Sequence, residues 1–300
     1  MLIRMRSLVR VVEVLFPERE ISHRKWSMRG SIVFFLVSVT FFYGVALFLP
    51  ADGFIAFDWV HVFSQGKMPL FYPLWSRIVS NLNWPLLVSL SMTGILLATI
   101  IRSVHPVSSI ATLLSLPVLW TIFLGQLEGL VVLGILGLPY LTPLAIIKPQ
   151  VSFFAFGAKK TYLLAFLVWF GMSLIVWGWW PGRMFALDRF YAEGRYVQDI
   201  AIGWAGIFVA LPMMWFSRGD VDMLMIGGAF VTPHLIPYNM LPFTTAIARI
   251  PPKSAVTACL LSWLPLSANW LGKSGWWLGW LYVIWLWLVL AYQRYSKDLK

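Results

Sequence analysis

Apolar residues run along this chain in blocks, not in alternation. Residues 31–50 and 82–101 each form a block of about twenty positions without a charge, the length a helix needs to cross the hydrocarbon core of a bilayer. Read the same way, the whole pattern predicts about ten membrane segments, near 31–50, 82–101, 106–124, 127–146, 161–180, 199–217, 221–234, 236–248, 254–271 and 274–292. The expected fold is an all-α polytopic membrane bundle with a single transmembrane domain over 31–292 and both termini cytoplasmic. Loops at 51–81 and 181–198 are expected outside. Two stretches break the pattern. Residues 145–158 are apolar but interrupted by Lys148-Pro149, and 221–248 carry Pro233, His234, Pro237, Tyr238, Asn239 and Pro242. Broken backbone at membrane depth is tolerated inside protein or beside a wet cavity, so both stretches are candidates for lining a pocket.

Composition strengthens the membrane reading. The chain has 300 residues, 60 % of them hydrophobic and 12 % charged, against about 25 % charged in an ordinary soluble domain. The net charge of +11 is spread over short loops with no compact basic domain, so it points to topology and not to nucleic acid. Arg4, Arg6, Arg10, Arg19, Arg24, Lys25 and Arg29 crowd the first thirty residues and predict a cytoplasmic N-terminal segment, 1–30, attracted to anionic lipid. Within it Met5, Leu8 and Val12 share one face and suggest an interfacial helix; a cytoplasmic tail is the competing reading. Residues 293–300 are expected to form a second cytoplasmic tail. No cleavable signal peptide is expected. The protein is placed as an integral, multi-pass component of a prokaryotic cell membrane, with the lipid bilayer as its first partner.

Against this apolar background a few polar residues stand out. Asp58 opens the stretch that holds His61, Lys67, Tyr72 and Pro73. Phe54, Ile55, Phe57, Val60 and Phe63 predict a short surface helix that sets Asp58 and His61 on one polar side. A carboxylate there could take a proton from a hydroxyl nucleophile, or it could simply cap a loop. Glu128 is the only acidic residue between Asp58 and Asp188 and follows Gly125-Gln126; it could act in chemistry or pair with Lys148 or Arg77. Lys148 could hold a lipid phosphate or reach an interface. Arg189 could grip a phosphate or pair with Glu193, and His234 reads equally as a ligand contact or a satisfied core histidine. Trp177, Trp179 and Trp180 read as an aromatic belt. No metal-ligand spacing and no Gly-rich phosphate loop is present, so neither metal nor cofactor is expected.

The order of these pieces resembles the GT-C superfamily of integral-membrane glycosyltransferases, closest to the polyprenyl-phosphate-mannose-dependent mannosyltransferases. Asp58 matches that family's first-loop Asp, and Gly66–Tyr72 its Gly-x-x-x-Tyr stretch. Gly125-Gln126-Leu127-Glu128 matches a Gly-Gln-x-Asn element, with Glu128 in place of the Asn. Lys148-Pro149 and Thr232-Pro233-His234 match the Lys-Pro and Ser-Pro-His elements. The resemblance implies a GT-C-like bundle with Asp58 as general base, Lys148 and His234 toward a donor phosphate, and transfer at the external face without nucleotide sugar or metal. The expected function is transfer of a sugar from a polyprenyl-phosphate carrier to a membrane lipid or glycan acceptor. The expected substrate-binding residues are His61, Lys67, Tyr72, Gln126, Glu128, Lys148, Arg189 and His234. A non-catalytic subunit bound to a membrane-protein partner, or a lipid or solute transporter, is the alternative.

Overall fold

The computed structural model describes residues 28–66, 72–182 and 197–296. Among them the chain is helical, with short 3-10 turns between helices and no strand. In chain order the principal helices are α1 (Met28–Ala46), α2 (Trp84–Arg102), α3 (Pro106–Leu113), α4 (Leu116–Leu124), α5 (Glu128–Leu136), α6 (Lys160–Trp177), α7 (Ile207–Ser217), α8 (Val221–Ala229), α9 (Pro252–Ser262) and α10 (Gly279–Ser296).

Four stretches are long and apolar enough to cross a membrane: α1, α2, α6 and the Lys273–Ser296 stretch that contains α10. A fifth is reached only if α3 and α4, bent by 41° at their junction, count as one span. The protein is therefore a multi-pass membrane protein, and among the described residues it has four, at most five, helices of spanning length. That corrects the expectation of about ten segments. It also removes the GT-C resemblance and the mannosyltransferase assignment, because that fold requires the larger number of spans.

The miscount has a physical cause. An apolar run shows that a segment avoids water, but not whether lipid or protein surrounds it. α5 is apolar on all sides because it is enclosed, with Glu128 through Ile135 all buried. Gly129 and Gly94 bring it close to α2: a Cβ on Gly129 would collide with Ser91, and one on Gly94 would meet the Gly129 carbonyl oxygen. α8 is enclosed in the same way. Proline then divides what remains. Pro139, Pro143 and Pro149 break 137–152 into one-turn helices, and Pro233, Pro237 and Pro242 do the same to 230–244. By contrast, α1 and α6 expose apolar side chains such as Val37, Phe41, Leu164 and Ile175 along their length, as lipid-facing helices do.

α1 lies antiparallel to α2, tied at one end by Asn83 Nδ2 donating to the Tyr43 hydroxyl and Trp84 Nε1 donating to the Leu49 carbonyl. α2 is about 28 Å long at 1.5 Å per residue and runs through the centre, with most of its residues buried. It separates two ends of the molecule. The Asp58 end gathers the 51–66 loop, the start of α2 and the α4–α5 junction. The Arg102 end gathers the starts of α3 and α8 and the last turn of α10. Both ends of the described chain, Met28 and Ser296, belong to this second end. The proposed N-terminal interfacial helix, Lys67, Arg183, Arg189 and Arg195 lie outside the described residues.

Candidate functional site

The 53–66 loop folds against the bundle through an unusual backbone. Ala56 has φ 62°, a conformation rare outside glycine, and its amide donates to the Phe123 carbonyl at 2.7 Å. Trp59–Phe63 then forms a π-helical turn, a geometry often found at functional sites. Trp59 and Phe63 point into the core, while Phe54 and Phe57 face outward, so the expected apolar face is split. Opposite this loop, Gly125 ends α4 in the left-handed region at φ 71°, with the Gln126 amide donating to the Thr121 carbonyl at 2.9 Å. No other residue fits there: a Cβ on Gly125 would lie 2.7 Å from Trp59 Cβ and 2.8 Å from Trp84. This contact brings Gln126 to Asp58.

A polar chain follows. Gln126 Nε2 donates to Asp58 Oδ2, and Gln126 Oε1 accepts from Lys148 Nζ at 2.8 Å. Lys148 Nζ also pairs with Glu128 Oε1, and the same oxygen accepts from Asn239 Nδ2 at 2.6 Å. The lysine ammonium lies over the Tyr238 ring at 4.4 Å and the Tyr72 ring at 5.6 Å. Local sequence explains each placement. Pro149 keeps Lys148 out of helical geometry, at φ −138° and ψ 88°. Glu128 begins α5, where the helix dipole favours a negative charge. Asn239 is oriented by its own Oδ1, which accepts from the Ile236 amide at 2.9 Å.

The electrostatics follow from burial. Burial raises the Asp58 carboxyl above its ordinary value, and Lys148 and Gln126 oppose that without cancelling it. Burial likewise lowers the Lys148 ammonium, against the pull of Glu128 and Asp58. One lysine thus faces two carboxylates, and Glu128 Oε2 has no hydrogen-bond partner among the described residues.

Of the sequence-derived site residues, Asp58, Gln126, Glu128, Lys148 and Tyr72 come together. His61 stays at the edge of this group and acts on Asp58 through its charge. It is exposed and packs on Phe57 with ring centroids 4.7 Å apart. Arg77 is also exposed, so of the two partners open to Glu128 the structure selects Lys148.

His234 belongs to a separate pair. Its Nδ1 lies 2.8 Å from Asp199 Oδ2, while Asp199 Oδ1 accepts from the Ala201 and Leu235 amides at 2.9 Å. Burial alone would raise the Asp199 carboxyl; the His234 hydrogen bond and charge, with the two amides, bring it below its ordinary value. Asp199, Asn239 and Tyr238 were not among the predicted site residues. For Tyr238 and Asn239 the available signal was a polar residue inside an apolar, proline-broken run; Asp199 has no such setting.

A cavity of about 350 Å³ adjoins these segments. Ile146, Pro149 and Gln150 line it from one interrupted stretch, and Thr232 and Pro233 from the other. The two broken stretches therefore share a wall, although Lys148 and His234 turn to carboxylates. Trp180 also lines this cavity and packs on Trp75 at 5.2 Å. It is buried, while Trp177 and Trp179 of the predicted aromatic belt are exposed.

No protein-family model matches the chain, and neither the curated proteins nor the solved structures provide a match.

Proposed function

We propose that the protein transfers a sugar from a polyprenyl-phosphate carrier to a hydroxyl of a membrane-associated lipid or glycan, with Asp58 as general base. The observation that supports this reading is the Asp58 carboxylate itself, held by Gln126 at the end of a membrane bundle and with its proton affinity raised by burial. A base needs such a raised affinity to work near neutral pH. In the reaction the acceptor oxygen attacks the anomeric carbon as its proton passes to Asp58. The bond from that carbon to the phosphate oxygen breaks, and the polyprenyl phosphate leaves with the electron pair. Configuration inverts.

The Asp58 end is assigned to the external face of a prokaryotic cell membrane. Arg102, Arg218, Arg249 and Arg294 gather at the opposite end, which the positive-inside rule assigns to the cytoplasm. Lys148 is already paired with Glu128.

The Asp58→Asn change keeps shape and removes the base. In membranes supplied with a polyprenyl-phosphate sugar it is expected to lower transfer at least a hundredfold while donor binding persists. Transfer at the wild-type rate would remove Asp58 from the chemistry. The second reading, a non-catalytic subunit, draws on the closure of the Asp58–Gln126–Lys148–Glu128 chain on itself. It predicts no transfer by the wild-type protein and recovery of a membrane partner with it.

A further inference from the structure

Most buried threonines of this protein satisfy their hydroxyls locally. Thr99, Thr112, Thr121 and Thr244 each donate to the carbonyl four residues earlier. Thr232 does not. It is 1 % exposed, and its Oγ1 has no hydrogen-bond partner among the described residues. Gln150 Nε2 is likewise buried without an acceptor. These two side chains line one cavity from opposite stretches of the chain. Ser91 Oγ and Thr93 Oγ1 also lack partners, but they sit on α2 and form no part of that wall.

The rest of the wall is apolar and largely aromatic. Phe166 and Phe170, one helical turn apart on α6, close one side, and Phe153 and Trp180 flank them. α6 is a spanning helix that buries little of itself in the protein, and Phe153 is half exposed. The cavity therefore opens beside a helix of spanning length with an exposed apolar surface. At roughly 30 Å³ for each water-sized group, 350 Å³ holds about a dozen chain carbons. That is room for one chain segment. A buried amide donor and a buried hydroxyl without partners are costly unless something accepts their hydrogen bonds.

We infer that this cavity binds a single-chain lipid, whose apolar chain lies against Phe166 and Phe170 and whose head-group oxygen accepts hydrogen bonds from Gln150 Nε2 and Thr232 Oγ1. The same chemistry could come from an isoprenoid phosphate or from a fatty acid. Binding there does not require Asp58.

The test uses the full chain in nanodiscs with two photoreactive probes, a diazirine analogue of farnesyl phosphate and one of palmitate. Light-induced adducts of at least one probe are expected on peptides that carry Phe153, Phe166 or Phe170. Tighter binding of the farnesyl probe identifies an isoprenoid site, and tighter binding of the palmitate probe identifies an acyl site. Thr232→Val and Gln150→Leu are each expected to weaken binding about five- to tenfold, the effect of one buried hydrogen bond. Val231→Trp, which fills the cavity, should abolish labelling. Labelling is read without any transfer step, so a failure of the transfer reading leaves this result intact. Adducts elsewhere, wild-type binding by both polar-to-apolar variants, or equal competition by dioleoyl phosphatidylglycerol would overturn the site.

Discussion

The two ends of α2 bury charge in different ways. At the Arg102 end, arginine meets aspartate with well-formed geometry. Arg249 contacts Asp220 at 2.5 Å and Asp222 at 3.0 Å, Arg102 reaches Asp222 at 3.2 Å, and Arg294 approaches Asp220 at 3.8 Å. Asp220 also caps α8, its Oδ1 accepting from the Asp222 and Met223 amides at 3.1 Å. At the Asp58 end a single lysine serves two carboxylates, through a glutamine in one case. Three arginines over two aspartates tie together helices that are distant in sequence. One lysine over two carboxylates leaves a carboxylate with raised proton affinity. The first arrangement suits a fastener between helices, and the second suits a group that must change its protonation.

The largest expected effect breaks the fastener. Arg249→Met leaves two aspartates buried with weaker partners, and a loss of about 3–5 kcal/mol is expected for a broken buried pair. Thermal unfolding in detergent measures it, and a loss below roughly 0.5 kcal/mol, the ordinary surface range, would mean that the cluster does not fasten the helices.

At the other end Lys148→Met should cost less, about 3 kcal/mol, because a single direct ion pair is broken there. Adding Glu128→Gln removes the stranded carboxylate and should restore at least half of the loss. A double-mutant cycle reads the coupling. Strict additivity of the two changes would show that the pair does not interact.

The smallest effect concerns acid and has opposite signs at the two ends. Asp220 is held below its ordinary value: burial opposes this, but Arg249, the Met223 amide and Arg294 prevail. Its contribution is complete above the unfolded value near 3.8 and is lost as pH falls through the folded one. Asp58 is shifted the other way, so its folded-state penalty grows as pH rises from 3.8 through the raised value. Asp58→Asn, which cannot ionise, should therefore stabilise the protein at neutral pH and by nothing near pH 3.5. Unfolding measured across pH 3.5–7 checks this, and a destabilised variant at pH 7 would show that the charged carboxylate is held favourably. The same shift predicts an acidic limb in the transfer rate above the ordinary carboxylate value.

Much of this molecule was legible in its sequence. Low charge content and charge-free runs near twenty residues long identify a helical membrane protein, since backbone in lipid must satisfy its own hydrogen bonds. α1, α2 and α6 fall close to the predicted segments at 31–50, 82–101 and 161–180. Proline-interrupted stretches at 145–158 and 221–248 are where the cavity wall forms, because broken backbone needs protein around it. The number of spans was not legible. Enclosed helices such as α5 and α8 are as apolar as lipid-facing ones, and only packing separates the two environments. Pairing was not legible either. Glu128 had two basic candidates, and Lys148 reaches it because the chain after α5 folds back on that helix, Gly134 lying hard against Ala145. Local sequence fixes which groups are costly to bury, while the tertiary structure decides which of them meet.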